Sequence, residues 1–127
     1  MTFPFDRSEG LILVNARISG TIGEFRLVLA LDTGATSTVI NVDPLVAAGY
    51  DPATTTERKR ITTGSGVEYA AVVRVSSLEA LGQEVSGFPV LAHTLPPSTG
   101  VDGVLGLDFL RARRLEIDFT KGESALS

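Results

Sequence analysis

The chain of 127 residues has no cysteine and no tryptophan, a single histidine, a single methionine and two tyrosines. Without cysteine there is no disulfide framework, no thiol nucleophile and no thiolate metal site. The one histidine, His93, excludes within a single chain a Ser-His-Asp triad built on any other histidine, and any metal site with two histidine ligands. The shortage of large aromatics leaves no stacking platform for a sugar. No run of about 18 apolar residues occurs, so no membrane partner is expected through a spanning helix. The opening "MTFPFDRSEG" carries acids and lacks the basic-then-apolar pattern of a secretion signal. A cytoplasmic location, or a soluble domain of a longer chain, is the expectation. Positive charge is also scarce. The net charge is −4, and the basic clusters Arg58-Lys59-Arg60 and Arg111/Arg113/Arg114 are short, so no nucleic-acid partner is expected.

What is present reads as one globular domain over 1–127. The composition is 43% hydrophobic and 20% charged, with 13 glycines and 6 prolines, which favours many short strands and tight turns. Residues 10–20 place Ile12, Val14, Ala16 and Ile18 on one face of a period-2 pattern, and 24–32 alternate again after the turn "GTIG". The pair predicts a β-hairpin. Residues 37–41 predict a short β-branched strand. A short helix is expected over 42–50, with Asp43 as N-cap, Pro44 at the first helical position and Gly49 just past the end. Residues 58–82 read as two strands around the glycine turn "TGSG" at 63–66, and 83–93 as a further strand bent at Gly87. After a loop at 94–100, an apolar segment leads into a second helix from about Leu107, and 115–127 read as two strands about a "KGE" turn. The fold class expected is mainly β with one or two short helices.

Within this pattern one residue is out of place. The apolar strand 24–31 ends in Asp32, followed at once by Thr33 and Gly34. A carboxylate there can simply cap a turn, its oxygens accepting backbone N–H groups. Asp-[Ser/Thr]-Gly occurs by chance in roughly one chain of this length in fifteen or twenty, from average residue frequencies, so the tripeptide needs support. The chemical reading is half of a paired-carboxylate site. Two aspartates sharing one proton cannot both ionise, so one stays a base and the other an acid. Such a pair activates water without metal, cofactor or covalent intermediate, which suits a chain with these absences. Gly34 permits a tight turn and close approach of a substrate backbone, and Ala35 is small enough to leave room beside it.

The support lies in order and combination. "LALDTGATSTVI", then "TTGSGVEY", then "GVLGLDFL" at 103–110 resemble the retropepsin-like aspartic proteases in their bacterial single-domain form, from about residue 10 to the C-terminus. The resemblance implies a single-lobe acid protease fold with a flap hairpin. It implies that Asp32 is catalytic, that Thr33 hydrogen-bonds across a two-fold axis, and that Gly34, Ala35 and Thr36 lie along the substrate. It implies that Gly64, Ser65 and Gly66 form the flap tip and that Val104, Leu105 and Gly106 pack beside the catalytic loop. Thr36 departs from the acid that retroviral members often carry there, and "TGSG" lacks their apolar glycine-rich tip.

A single lobe carries a single Asp-Thr-Gly. Asp102 lies in the leader of the apolar-apolar-Gly segment, and Asp108 reads as a helix-start acid. The second aspartate is therefore expected from a second copy, since a two-fold axis sets identical loops opposite each other. In such dimers the termini interleave, which implies pairing of 2–5 and 123–127 between chains; frayed ends are the alternative. The expected activity is peptide hydrolysis on a protein or peptide substrate. The competing readings are a peptide-binding or assembly module on the same dimeric fold and another two-carboxylate hydrolase such as a glycosidase.

Overall fold

The computed structural model describes residues 1–64 and 66–127; Ser65, expected at the flap tip, lies outside the described residues. The hairpin read from alternation is present as β2 (Leu13–Ser19) and β3 (Glu24–Leu31), paired from Leu13↔Ala30 to Ser19↔Glu24. Val14, Ala16 and Ile18 of β2 and Leu27 and Leu29 of β3 are buried in the core. The period-2 alternation thus becomes one buried face and one wetter face.

β4 (Val39–Ile40) leads into α1 (Val42–Ala47). This helix starts earlier than expected. Its N-cap is Asn41, and neither Asn41 nor Asp43 makes a side-chain cap. Asn41 is engaged elsewhere: its amide donates to the Val101 carbonyl and its Oδ1 accepts from Leu95 N. The hydroxyl of Thr94 takes the free N–H of Val42 instead, at 3.1 Å. Tertiary contacts from a loop some fifty residues away have overridden the local capping signal. Gly49 does follow the helix, at φ +102°. A Cβ at Gly20 would lie 2.1 Å from the Ala48 carbonyl oxygen, so only glycine lets the β2–β3 turn rest on the helix end.

β5 (Arg58–Thr63) and the long β6 (Gly66–Ala80) form the glycine-tipped hairpin, and β7 (Gln83–Ala92) returns along β6. Gly87 has φ +60°, and the ladder skips its position while keeping register on both sides. After a 3-10 turn at Pro97–Thr99 come β8 (Gly103–Leu105), α2 (Leu107–Leu110), β9 (Leu115–Asp118) and β10 (Glu123–Leu126).

The seven-stranded sheet has the order β2-β3-β8-β4-β7-β6-β5, and a further β2–β6 pairing curls it round on itself. β8 lies parallel to β3, while β4 lies parallel to β7 and antiparallel to β8. These crossings bring the loop after β3 and the segment after β8 to the same end of the sheet. Ile18, Leu29, Ile40, Leu45, Leu78 and Leu105 are fully buried at its centre. The chain ends form a second sheet of order β1-β10-β9, with β1 (Phe3–Pro4) paired to β10 at Phe3↔Ser124. The termini are therefore not frayed. They pair with each other within one chain.

Candidate active site

Asp32 stands one residue beyond β3, half-buried at the barrel end. Its N–H donates to the Leu105 carbonyl at 3.0 Å, which extends the parallel β3–β8 ladder by one bond. The turn then closes on the aspartate itself. Gly34 N donates to Asp32 Oδ1 at 2.8 Å, and Ala35 N donates to the Asp32 carbonyl at 3.2 Å. One carboxylate oxygen is thus held by a backbone donor. Thr33, Gly34 and Thr36 are exposed and Ala35 is half-buried.

The loop rests on a fixed platform. Leu107 N donates to the Ala35 carbonyl at 2.8 Å. Gly106 lies directly beneath: a Cβ there would come within 2.7 Å of the Ser37 carbonyl group and 2.9 Å of the Ala35 carbonyl oxygen. Thr38, which has no exposed surface, is the central pin. Its hydroxyl donates to Asp108 Oδ1 at 2.7 Å and accepts from Gly106 N at 3.1 Å. Its own N–H meets both Asp108 oxygens at 3.0 Å. Asp108, in the first turn of α2, therefore does more than face a helix dipole; it fastens α2 to the loop strand. Asp102 is likewise consumed by structure, since Asp102 N donates to the Val28 carbonyl and Asp102 Oδ2 accepts from Val28 N, both at 2.8 Å.

A cleft of about 1080 Å³ opens beside the loop. Gly34, Ala35 and Thr36 form one wall, the β5–β6 hairpin with Gly64 forms another, and Leu91, His93 and the 94–97 segment close the far side. Among the expected site residues, Gly34, Ala35, Thr36 and Gly64 reach this cleft, and Asp32 and Thr33 adjoin it. Gly66 follows the hairpin tip at φ +119°. Val104, Leu105 and Gly106 do not line the cleft. Leu105 is fully buried and Gly106 buried, so these residues support the loop from below. Thr38, Lys59, Ile61, Glu68 and His93 were not among the expected site residues. Period-2 alternation along 58–63 would have placed Lys59 and Ile61 on one face of the hairpin arm. Among the described residues no cluster of acids and histidines could hold a metal.

A curled β-sheet whose strand β3 runs into Asp-Thr-Gly, propped by an apolar-apolar-Gly segment and overhung by a hairpin, has the architecture of an acid-protease fold. The sequence pattern of the aspartyl protease family matches residues 14–109, and the chain belongs to that family. Its fold is similar to the crystal structure of a retropepsin-like aspartic protease from Rickettsia conorii, with a TM-score of 0.71 and 19% identity over 99% of this chain and 88% of that one. The fold is thus retropepsin-like, as the motif order implied. None of the curated proteins compared with the chain matches it. Among the described residues no helix is long and apolar enough to cross a membrane.

Proposed function

We propose that the chain is an aspartic endopeptidase whose site is completed by a second copy, each chain supplying one Asp32. The observation that carries this reading is the braced carboxylate. Asp32 is held by Gly34 N and Leu105 O, two residues from the wall of a cleft of about 1080 Å³. Thr33 supports the two-chain site, because it is exposed and its hydroxyl has no hydrogen-bond partner among the described residues. Across a two-fold axis it meets the partner loop.

In this mechanism the ionised Asp32 takes a proton from a water held between the two carboxyls. The water oxygen bonds to the scissile carbonyl carbon, and the neutral Asp32 donates to the developing oxyanion. The protonated Asp32 then donates to the amide nitrogen while the other takes a hydroxyl proton from the tetrahedral diol. The C–N bond breaks, the carboxylic acid and the amine leave, and one proton is again shared between the two carboxyls. Gly34 and Ala35 run along the substrate backbone, and the β5–β6 hairpin closes over it as a flap. Val104, Leu105 and Gly106 hold the loop in place. The single domain 1–127 supplies one half-site, and no cofactor enters the chemistry.

The test is a cleavage assay on an unfolded protein from acidic to neutral pH, with products followed by mass spectrometry. Asp32→Asn is expected to keep the wild-type circular dichroism and lose cleavage by at least about a thousandfold, since it removes the group that activates water. Comparable cleavage by the variant would sink the proposal. Tight peptide binding without turnover by the wild type would favour the peptide-binding module.

A further inference from the structure

The inner face of the hairpin carries an uncompensated cation. Register sets Lys59 opposite Ala70 and Ile61 opposite Glu68, so these side chains share one face. That face meets the apolar cluster of Ala70, Val72 and Leu91 with Val39 and Ile61. Arg60, opposite Tyr69, alternates to the other face of the arm, where Tyr69 is 70% exposed, and reaches the cleft only from that side. Lys59 Nζ donates to Ser37 Oγ at 2.8 Å, a neutral partner next to the catalytic loop. Among the described residues no carboxylate lies within ion-pair distance of Lys59. Glu68, the acid on the same face, also lines the cleft and has His93 Nδ1 at 3.9 Å from its Oε2.

An ammonium offers three donors, and Ser37 uses one. The others remain for a ligand in the cleft, which Lys59 lines together with Val39, Ile61 and Leu91. On a chain of net charge −4, a positive spot inside the cleft is a selective feature. An acidic side chain gains an ion pair under the hairpin. A basic one meets like charge at the same point.

We propose that Lys59 forms a specificity subsite, with Ser37 as its anchor, for an acidic side chain of the bound peptide. This rests on the cleft being the peptide site of the proposed protease. Two-fold symmetry repeats the subsite on the other side of the scissile bond.

The test uses eight-residue peptides of one leucine- and alanine-rich background, each carrying Glu, Gln or Lys at one position in turn. Their kcat/KM is measured with the wild type, and their Kd by calorimetry with Asp32→Asn. At the position facing Lys59, Glu is expected to exceed Lys by about tenfold in both, as a gained attraction and a removed repulsion multiply. Lys59→Met should flatten that ratio, and Lys59→Glu should invert it. Cleavage with no acid preference, or a preference that both variants keep, overturns the subsite and leaves the protease standing. Acid-selective binding without cleavage upholds the subsite and overturns the protease. Absence of both binding and cleavage overturns both.

Discussion

Thr38 serves the site without touching the cleft. It has no exposed surface, yet its hydroxyl and its N–H both end on groups that shape the Asp32 loop: the Gly106 amide and the Asp108 carboxylate. Replacing it with valine keeps the shape and deletes the hydroxyl. The Gly106 N–H is then buried without a partner, and Asp108 loses a donor. Thr38→Val is expected to cost about 1–3 kcal/mol, the range for a buried donor left unsatisfied, read as a lower urea midpoint at an unchanged slope. Cleavage should fall as well, because the loop loses its pin. An unchanged midpoint would show that the Thr38 hydroxyl is dispensable. Asp32 was legible in the sequence because its oddity is local, a carboxylate and glycine ending an apolar strand. Thr38 and Asp108 were not. They lie 70 residues apart, and each looks ordinary among its own neighbours. Only the fold makes them a pair.

At the level of elements, local periodicity carried far and long-range pairing did not show. Strands β2, β3, β5, β6 and β7 follow from alternation and glycine turns. The parallel pairings β3–β8 and β4–β7 leave no local trace, and the helix start moved because Thr94 and the 94–102 segment act on Asn41 and Val42. The β5–β6 hairpin has a mechanical consequence. Residues 66–71 of β6 pair with β5, whereas residues 71–80 pair with β7 in the barrel wall. The arm therefore projects from a rooted base near Ala71. At its tip Gly66 has φ +119°, and a Cβ there would meet no heavy atom within 4 Å. A side chain would be strained by backbone angle alone, by about 1–3 kcal/mol. Because a side chain there would meet open space, the strain relaxes locally rather than unfolding the barrel. Gly66→Val is expected to move the melting midpoint by less than about 2 °C, since local openings need not follow global stability, while kcat/KM falls severalfold. A large drop in midpoint with unchanged kcat/KM would reverse that assignment and make the tip structural.

At the scale of the whole molecule, the question is whether one chain holds a complete site. The chain has one Asp-Thr-Gly, and the two other aspartates nearest that motif in the fold, Asp102 and Asp108, are spent on Val28 and Thr38. Its termini pair with each other as β1-β10-β9. The implied interleaving of termini between chains therefore has an intrachain counterpart here. Both partners carry net charge −4, so association should weaken on dilution and at low salt, where like charges are poorly screened. A mixing experiment separates the two architectures. Wild-type chain is held at a fixed concentration high enough that specific activity no longer rises with it, and inactive Asp32→Asn chain is added until exchange is complete. If two chains build each site, random assortment at equal amounts leaves about half of the wild-type chains in active pairs, and a threefold excess of variant leaves about a quarter. Activity should fall along that curve, and faster mixing with substrate should blunt the fall by leaving less time for exchange. If a single chain is complete, the added variant changes nothing at any ratio, and the two-carboxylate mechanism would then need a second acid from within the same barrel.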